Sequence, residues 1–316
     1  PHTPLQATEK YLSRFDHITD TKRKTYAAMV SSIDDGVGHL LDTLDTLKLA
    51  DKTLVFFLSD NGGPEQKNAS DNGVLRGGKG DAWEGDFYTK TGARDAVAVS
   101  NGTAALHAAC FAAGFGPGDE VIVPSCTFIA TANAVCFVGA TPKFVDIVPE
   151  TLTMDVEQAA ALIGPRTRGI IPVHFGGVAA DLTAIRELAD RHELTIIEDA
   201  CHAPGASYRD GPVGDCRFGH MAVFSFHPTK QITAAEGGMV TTNDHKLAAK
   251  LRQFRNHGSV RSPDDMERNE GPWYYEMQEL GFNYRLSDVH AALGRSQLGR
   301  LDQFVAHRRK LSALYR

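Results

Sequence analysis

Short runs of apolar, mostly β-branched residues alternate with stretches of helical spacing through most of the chain after residue 96. The runs predict strands at residues 96–99, 120–125, 143–147, 169–175, 195–200, 221–226 and 237–243. Helical stretches lie between them at residues 103–114, 128–139 and 181–192, and residues 287–316 predict one more long helix. Continuous apolar strands with crossover helices predict an α/β fold, in which helices cover both faces of a mostly parallel sheet.

The first part of the chain has a different pattern. Residues 22–49 carry apolar side chains at helical spacing and predict an amphipathic helix. These side chains are Met29, Ile33, Val37, Leu40, Leu41, Leu44 and Leu47. Residues 53–63 predict a buried strand that runs into a polar turn. Residues 61–86 are rich in Gly, Asn and Asp without periodicity, which is typical of a long loop.

Composition and charge exclude several classes of protein. With 316 residues, 42% apolar and 23% charged, the chain resembles an ordinary globular protein of two domains or one large α/β domain. A net charge of −6 without a long basic run argues against a nucleic-acid binder. No apolar stretch reaches about 18 residues, so we expect no membrane span.

The cysteines and the start of the chain bear on its location and extent. Five scattered cysteines without a C-x-x-C pair, and no signal-peptide pattern, predict buried thiols in a reducing, cytoplasmic compartment. The chain starts at Pro1 rather than Met, from which we expect it to begin inside a longer sequence.

Three candidate groups for chemistry follow the ends of predicted strands. Gly102 and Thr103 open a helix, whose free N–H groups and Thr hydroxyl suit a phosphate, although an ordinary helix cap gives the same pattern. Asp199 ends a buried strand and either pairs with a cationic ring nitrogen or caps the next turn. Lys230 lies just beyond another strand, either desolvated as a nucleophile or solvated as a surface charge.

In combination these groups are much more specific than each one alone. A phosphate cradle, an Asp and a Lys occur in that chain order at strand ends, which meet at one edge of a parallel sheet. Pyridoxal 5′-phosphate (PLP) needs all three: a lysine that binds it covalently, an acid that pairs with its ring nitrogen, and a site for its phosphate.

The same segment resembles a known family. The matching runs are AVAVSNGTAALHAA, GPGDEVIVPSCTFIATANAV, GATPKFVDI, IIPVHFGG, IIEDACHAPGA, FSFHPTK, EGGMVTTND and GFNYRLSD. With them, residues 87–316 resemble the DegT-type PLP-dependent nucleotide-sugar aminotransferases, whose fold is the large domain of PLP-dependent transferase fold type I. FSFHPTK and GPWYYEMQELGFNYRLSD are most similar to the transaminase of pseudaminic acid synthesis, which acts on a UDP-linked 4-keto-6-deoxy amino sugar.

The resemblance implies a role for each matching residue. Lys230 is the PLP lysine and proton carrier, Asp199 the partner of the pyridinium nitrogen, and His202 the neighbour of the cofactor's phenolic oxygen. The implied phosphate and ring contacts are Gly102, Thr103, Ser225, Phe128 on the ring face, and Asn283 for the cofactor of a neighbouring subunit. His227 and the Trp273-Tyr274-Tyr275 cluster are candidates for the sugar pocket, although three successive aromatics also suit a core; His174 receives no role.

The resemblance also implies the reaction and the partners. An amino-acid donor, glutamate by analogy, gives its amino group to a UDP-linked keto sugar through the cofactor, in a homodimer. Ala235 stands where the family has Gly, which costs energy if that position needs a positive φ. We further expect the large domain to be truncated at both ends, because the family's N-terminal segment and C-terminal small domain are missing.

Residues 1–86 resemble a different family. The runs PHTPLQ, YAAMVSSIDDGVGHLLDTL, SDNGG and LRGGKGDAWEG are similar to an internal fragment of a sulfatase of the alkaline-phosphatase-like fold. By this resemblance, Asp60 and Asn61 are metal ligands for Ca²⁺, and His2 and Lys79 contact sulfate. From the residues alone, the two oxygen ligands suit Ca²⁺ or Mg²⁺, or simply form a surface turn.

Three functions follow from these observations. The first is a nucleotide-sugar transaminase, supported by Lys230 with Asp199. The second is a sulfatase-type metal-dependent hydrolase; we predict no such turnover, since no C-x-P-x-R or S-x-P-x-R motif is present. The third is an inactive chimera of two partial domains, residues 1–86 and 87–316, because the two patterns join abruptly without a linker.

Overall fold

The structure is a computed structural model that describes residues 5–53, 55, 81–262, 265–268, 270–271 and 273–315. It contains two compact units, Pro1–Ala82 and Trp83–Arg316. The sequence boundary between residues 86 and 87 stays a prediction. The predicted strand at residues 53–63 falls almost entirely outside the described residues.

The first unit is helical where it is described. Helix α1 (Glu9–Leu12) continues into a 3₁₀ turn, and the predicted amphipathic helix is confirmed as α2 (Thr21–Thr46). The side chain of Asp20 caps α2 by accepting a hydrogen bond from the N–H of Arg23 at 2.6 Å. Arg14 binds Asp35 through two parallel bonds of 2.9 Å, which lowers the pKa of that carboxyl group.

The apolar stripe of α2 is mostly exposed. Ala28 is the one residue of this helix that is buried among the described residues, whereas Ile33, Leu40 and Leu41 lie at the surface. The periodicity therefore predicted the helix correctly, but a buried face for that helix is not present in the described part of the chain.

In the described part of the second unit, a seven-stranded sheet forms the centre. Its strands are β1 (Asp95–Val99), β2 (Glu120–Pro124), β3 (Thr141–Val145), β4 (Thr167–Ile170), β5 (Thr195–Asp199), β8 (Met221–Ser225) and β9 (Gly238–Thr242), in the order β1-β9-β8-β5-β4-β2-β3. Only β9 runs antiparallel to its neighbours in this sheet. Two small hairpins pair β6 (Ser207–Tyr208) with β7 (Gly211–Pro212) and β10 (Ser259–Val260) with β11 (Glu276–Met277). The predicted α/β fold with a mostly parallel sheet is confirmed.

Helices cover both faces of this sheet. They are α3 (Asp81–Thr91), α4 (Gly102–Ala112), α5 (Ala130–Phe137), α6 (Val156–Leu162), α7 (Leu182–His192), α8 (His245–Phe254), α9 (Asp288–Leu298) and α10 (Leu301–Leu314). One face packs Val97, Val223 and the Ala-rich side of α4, and the other packs Ala98, Phe224 and residues of α3. Adjacent strand residues thus face opposite cores, as the continuous apolar runs predict.

Two predicted elements are wrong in detail. Residues 81–86 belong to α3 rather than to a loop, because Trp83 and Phe87 are buried against Phe224 and Phe226 and outweigh the weak local signal. The carboxylate of Glu84 also joins this helix to the sheet, accepting from the N–H of Ala98 at 2.8 Å.

The predicted long helix at residues 287–316 is the other error. It is divided into α9 and α10, because Arg300 leaves the helical backbone conformation with φ −110° and ψ 3°. Leu298 and Leu301 are both buried on either side of this break, so the change of direction allows both helices to contact the core.

The topology brings the carboxyl ends of the parallel strands to one edge. Val99 and Ser225 both lie beside Gly238 in the register of the sheet, and Asp199 lies beside Val223. Functional groups of α/β sheets collect at this edge, so it is the expected position for a site.

Two further findings concern membranes and thiols. Over the ranges that the structure describes, no helix is both long and apolar enough to cross a membrane. All five cysteines lie within these ranges and are free thiols, as predicted from their spacing. The prediction that they are buried is correct for Cys110 and Cys216, but Cys126 and Cys201 are half-buried and Cys136 is exposed.

Candidate active site

The N-terminus of α4 forms an open cradle at this edge. The side chain of Asn101 caps the helix by accepting from the N–H of Ala104 at 2.8 Å. Within the described part of the chain, the N–H groups of Gly102 and Thr103 have no hydrogen-bond partner. Unpaired N–H groups at the start of an 11-residue helix suit an anion such as a phosphate.

Close packing behind this cradle explains its glycine. A Cβ atom at Gly102 would lie 2.8 Å from Cβ of Ser225 and 3.4 Å from Sγ of Cys201. Gly102 therefore lets the helix terminus approach the ends of β8 and β5, which brings Thr103 and Ser225 to the same place. The two predicted phosphate contacts thus come from elements that the structure places side by side.

Asp199 is fixed at the end of β5. Its carboxylate is buried, with 5% of the residue exposed, and accepts from Oγ1 of Thr131 at 2.7 Å and from the N–H of Cys201 at 3.2 Å. No basic side chain of the described ranges forms an ion pair with it. A buried carboxylate held by neutral donors is a favourable partner for a cationic ring nitrogen, so the site fits PLP.

Lys230 and His202 lie close enough to Asp199 to affect one another electrostatically. Burial and then the positive charge of Lys230 lower the pKa of His202, while Asp199 opposes this change. Burial raises the pKa of the Cys201 thiol, and Asp199 adds to this effect. The charges of Lys230 and Asp199 therefore lie within electrostatic reach of His202, and Gln231, next to Lys230 in the chain, donates to the carbonyl of His202, as the predicted site requires.

Two further predicted cofactor contacts, Phe128 and Asn283, lie on segments next to this site. Phe128 is 68% exposed and precedes α5, where its carbonyl accepts from the N–H of Thr131 at 3.1 Å. Asn283 is exposed, and the next residue, Tyr284, accepts from the N–H of Ser100 at 2.8 Å. Both therefore project from segments that are bonded to the cofactor-site elements.

The sugar-pocket candidates are exposed except for Tyr274, which is half-buried. His227 follows β8 and pairs its ring with the hydroxyl of Thr229 at 3.0 Å. Trp273 and Tyr275 are 74% and 56% exposed, so these two aromatics are not part of a core. Tyr274 instead binds the carboxylate of Glu276 at 3.1 Å.

Several residues that support the site cannot be recognised from the sequence. Thr131 binds Asp199 from 68 positions away along the chain, and Arg308 of α10 donates to the backbone carbonyl of Lys230 at 3.1 Å. Gln231 donates to the carbonyl of His202, and its own side-chain oxygen is buried without a partner among the described residues. No local pattern marks such residues, because their partners come from distant elements.

The predicted sulfatase-type site cannot be placed. His2, Asp60, Asn61 and Lys79 all lie outside the described residues. Among the residues that are described, no group of three or more His, Cys, Asp or Glu side chains could hold a metal ion. Ca²⁺ binding and sulfate contact therefore stay predictions.

Comparison with known proteins agrees with the geometry of the sheet edge. The DegT/DnrJ/EryC1/StrS aminotransferase family matches residues 65–316, and the Sulfatase family matches residues 1–90. The chain belongs to the DegT/DnrJ/EryC1/StrS aminotransferase family. Enzymes of this family depend on PLP, which is the cofactor predicted from Lys230 and Asp199.

Individual relatives are sugar aminotransferases. GDP-perosamine synthase of Caulobacter vibrioides is 47% identical over 236 residues, which are 74% of this chain and 60% of that protein. PseC of Helicobacter pylori, an aminotransferase in pseudaminic acid biosynthesis, is 31% identical with a TM-score of 0.63 over 70% of this chain and 57% of its own.

A third relative has been solved with the cofactor. The PLP form of a sugar aminotransferase from Streptococcus pneumoniae is 28% identical, with a TM-score of 0.69 over 76% of this chain and 64% of its own. The chain spans about three fifths of the length of the relatives that it matches.

Proposed function

We propose that this chain binds PLP at the carboxyl edge of its sheet and transfers an amino group to a nucleotide-linked keto sugar. The observation that carries the proposal is the buried carboxylate of Asp199, held by Thr131 and the N–H of Cys201 without a basic partner among the described residues. Lys230 lies within electrostatic reach of the same site.

The chain's residues divide the work of holding the cofactor. Gly102, Thr103 and Ser225 would bind the phosphate, because they surround the open N-terminus of α4. Asp199 would stabilise a proton on the ring nitrogen, since its carboxylate is buried and fixed. Phe128 would cover one face of the ring from its exposed position before α5.

Two basic residues complete the proposed machinery. Bound PLP supplies an electron sink that makes proton removal from an amino-bearing carbon possible. Lys230 would bind the cofactor covalently and carry the proton between donor and acceptor carbons. His202 stays neutral near pH 7, because burial and Lys230 lower its pKa, and so can donate one hydrogen bond without adding charge.

The finer features of the reaction are part of the proposal. The acceptor is a UDP-linked 4-keto-6-deoxy amino sugar and the amino donor is glutamate, in line with the similarity to PseC. GDP-perosamine synthase has a higher identity to this chain than PseC does, so a GDP-linked sugar is the alternative acceptor. Asn283 is exposed and is followed by Tyr284, whose carbonyl accepts from the N–H of Ser100, which supports a contact to a second copy in a homodimer.

The donor half of the reaction tests this proposal. The PLP-loaded chain should convert glutamate to one equivalent of 2-oxoglutarate, and a keto sugar should then restore the original absorbance. Asp199→Asn should lose this conversion at least tenfold, because it removes the charge that stabilises the ring-nitrogen proton. Asp190→Asn, at an exposed carboxylate paired with Arg186, is the matched control and should be unaffected.

The outcome also separates the substrates. If the UDP-linked but not the GDP-linked sugar restores the original absorbance, the proposed acceptor is supported. The reverse result would show that the acceptor is a GDP-linked sugar. No conversion of glutamate or of any other amino acid would contradict the proposed transamination. The cytoplasmic location stays a prediction that rests on the five free thiols.

A further inference from the structure

A buried pair of His174 and Glu198 lies directly beside Asp199. The two side chains are 0% and 2% exposed, and Nε2 of His174 is 3.1 Å from Oε2 of Glu198. Nδ1 of the same ring accepts from the N–H of Ala180 at 3.1 Å. A ring nitrogen that accepts carries no proton, so His174 is neutral and donates from Nε2 to Glu198.

This pair fixes both ends of a short turn. The ring of His174 reaches Ala180 across the 3₁₀ turn Phe175–Gly177, and the N–H of Gly177 donates to the carbonyl of His174 at 3.1 Å. The N–H of His174 also donates to the carbonyl of Asp199 at 3.0 Å. The turn is therefore anchored to the strand that carries the buried carboxylate.

The Phe175–Gly177 turn contacts His202. The N–H of Gly176 donates to Nδ1 of His202 at 3.4 Å, and the ring of Phe175 meets the His202 ring edge-on at 5.7 Å. A Cβ at Gly177 would lie 3.2 Å from the carbonyl oxygen of His202, so the approach is close. With Nδ1 accepting, His202 carries its proton on Nε2.

We infer that His174 and Glu198 are positioning residues that hold the Phe175–Gly177 turn and so keep His202 as a donor from Nε2. This inference rests on the proposed function, in which that donor faces the phenolic oxygen of PLP. The N–H of Gly176 can donate to an unprotonated Nδ1 of His202 but cannot accept from a protonated one. The turn therefore stabilises only the tautomer that carries its proton on Nε2.

The tautomer of His202 can be measured without PLP. Two-bond ¹H–¹⁵N spectra of the full chain labelled in histidine report which ring nitrogen is protonated, and the signals lost in His202→Gln assign this residue. The wild type should show the Nε2–H form. His174→Phe fills the space but removes both hydrogen bonds, and should give a mixture of the two tautomers.

Two further variants provide the controls. Glu198→Gln keeps an oxygen that accepts from His174, and should keep the wild-type tautomer of His202. Glu120→Gln removes another carboxylate that is mostly shielded from solvent, bound to Lys143 and Arg166 at the amino end of β2, and should change nothing at His202. If His174→Phe does not fold with Glu198 left unpaired, His174→Phe/Glu198→Leu replaces the whole pair by apolar side chains.

PLP affinity gives the second readout. Loss of the hydrogen bond in His202→Phe is expected to weaken PLP binding about tenfold. In His174→Phe a mixture of tautomers leaves about half of the chains with the donor, so PLP binding should weaken about twofold, and His174→Phe should cause no further loss when it is combined with His202→Phe. An unchanged tautomer in His174→Phe, or an equal effect of Glu120→Gln, would overturn the inference. Failure of the wild type to bind PLP would instead contradict the proposed function, and the spectra without PLP would still decide the tautomer.

Discussion

At the scale of single residues, Ala235 has a backbone conformation that favours glycine. Its φ is 63°, and it is exposed in the loop that follows Lys230. An alanine in this left-handed region is strained by about 1 kcal/mol, part of which is offset because glycine has more freedom in the unfolded chain. The departure from the family's Gly that the sequence showed is therefore strained in the structure.

Replacing this residue tests the strain. Ala235→Gly should raise the free energy of unfolding by about 0.5–1 kcal/mol, measured by denaturant titration. Ala306→Gly, at an exposed helical position of α10, should instead lower it by about 1 kcal/mol. A loss of stability in both variants would show that Ala235 is not strained.

Lys230 and His202 are also coupled at this scale. Because the charge of Lys230 lowers the pKa of His202 and Asp199 raises it, Lys230→Met should bring that pKa upward toward its ordinary value. An NMR titration of His202 checks the direction. Lys250→Met, at an exposed position of α8, is the control, and an equal shift in both variants would contradict the proximity of Lys230.

At the scale of elements, the phosphate cradle depends on close contact between α4 and β8. Gly102→Ala would place its Cβ 2.8 Å from Cβ of Ser225 and force the two elements apart. Overpacking of this kind lowers the free energy of unfolding by about 1–3 kcal/mol. Because it also moves the N–H groups of the helix terminus away from the phosphate, PLP binding should weaken about tenfold or more.

The control for this prediction is Gly116→Ala, where an added Cβ meets nothing within 4 Å. PLP affinity is measured by absorbance titration in both variants. Equal affinity of Gly102→Ala and wild type would show that the cradle does not hold the cofactor's phosphate.

The sequence predicted these elements best where burial is uniform. The strands ending at Val99, Asp199 and Ser225 have continuous apolar runs, which indicate their two-sided burial directly. Residues 81–86 were missed because the signal for their helix is tertiary, in the packing of Trp83 under the sheet. Thr131 was missed for the same reason, since only folding brings its hydroxyl to Asp199.

At the scale of the whole molecule, three buried or half-buried histidines make stability depend on pH. Burial lowers the pKa values of His107, His202 and His220 below the ordinary value of about 6.5. The unfolded chain therefore binds more protons than the folded chain below that pH. The free energy of unfolding should fall as the pH decreases from about 7 through the lowered values.

One variant isolates part of this dependence. Unfolding measured at pH 7.5 and pH 5.5 should show a smaller difference for His107→Gln than for the wild type. His307→Gln, at an exposed residue of α10, should leave the difference unchanged. A wild-type stability that is constant or rises toward low pH would contradict the effect of burial on these three rings.

Several sequence features that are ambiguous one by one can predict a cofactor site when they are combined. A helix terminus, an Asp and a Lys were each ambiguous, and their chain order at strand ends predicted the cofactor site because parallel strands end at one edge. The partner of Asn283 and the sugar pocket depend on groups that no local pattern specifies. Residues 1–86 could be matched to a family, but their predicted site residues stay predictions.

The most direct test of the account is the covalent bond between PLP and Lys230. The full chain is incubated with PLP, reduced with borohydride and digested, and the modified peptide is identified by mass spectrometry. We predict one PLP group per chain, on Lys230, and its loss in Lys230→Ala but not in Lys250→Ala. No adduct in the wild type, or one that survives Lys230→Ala, would contradict the assignment of this edge as an aminotransferase site.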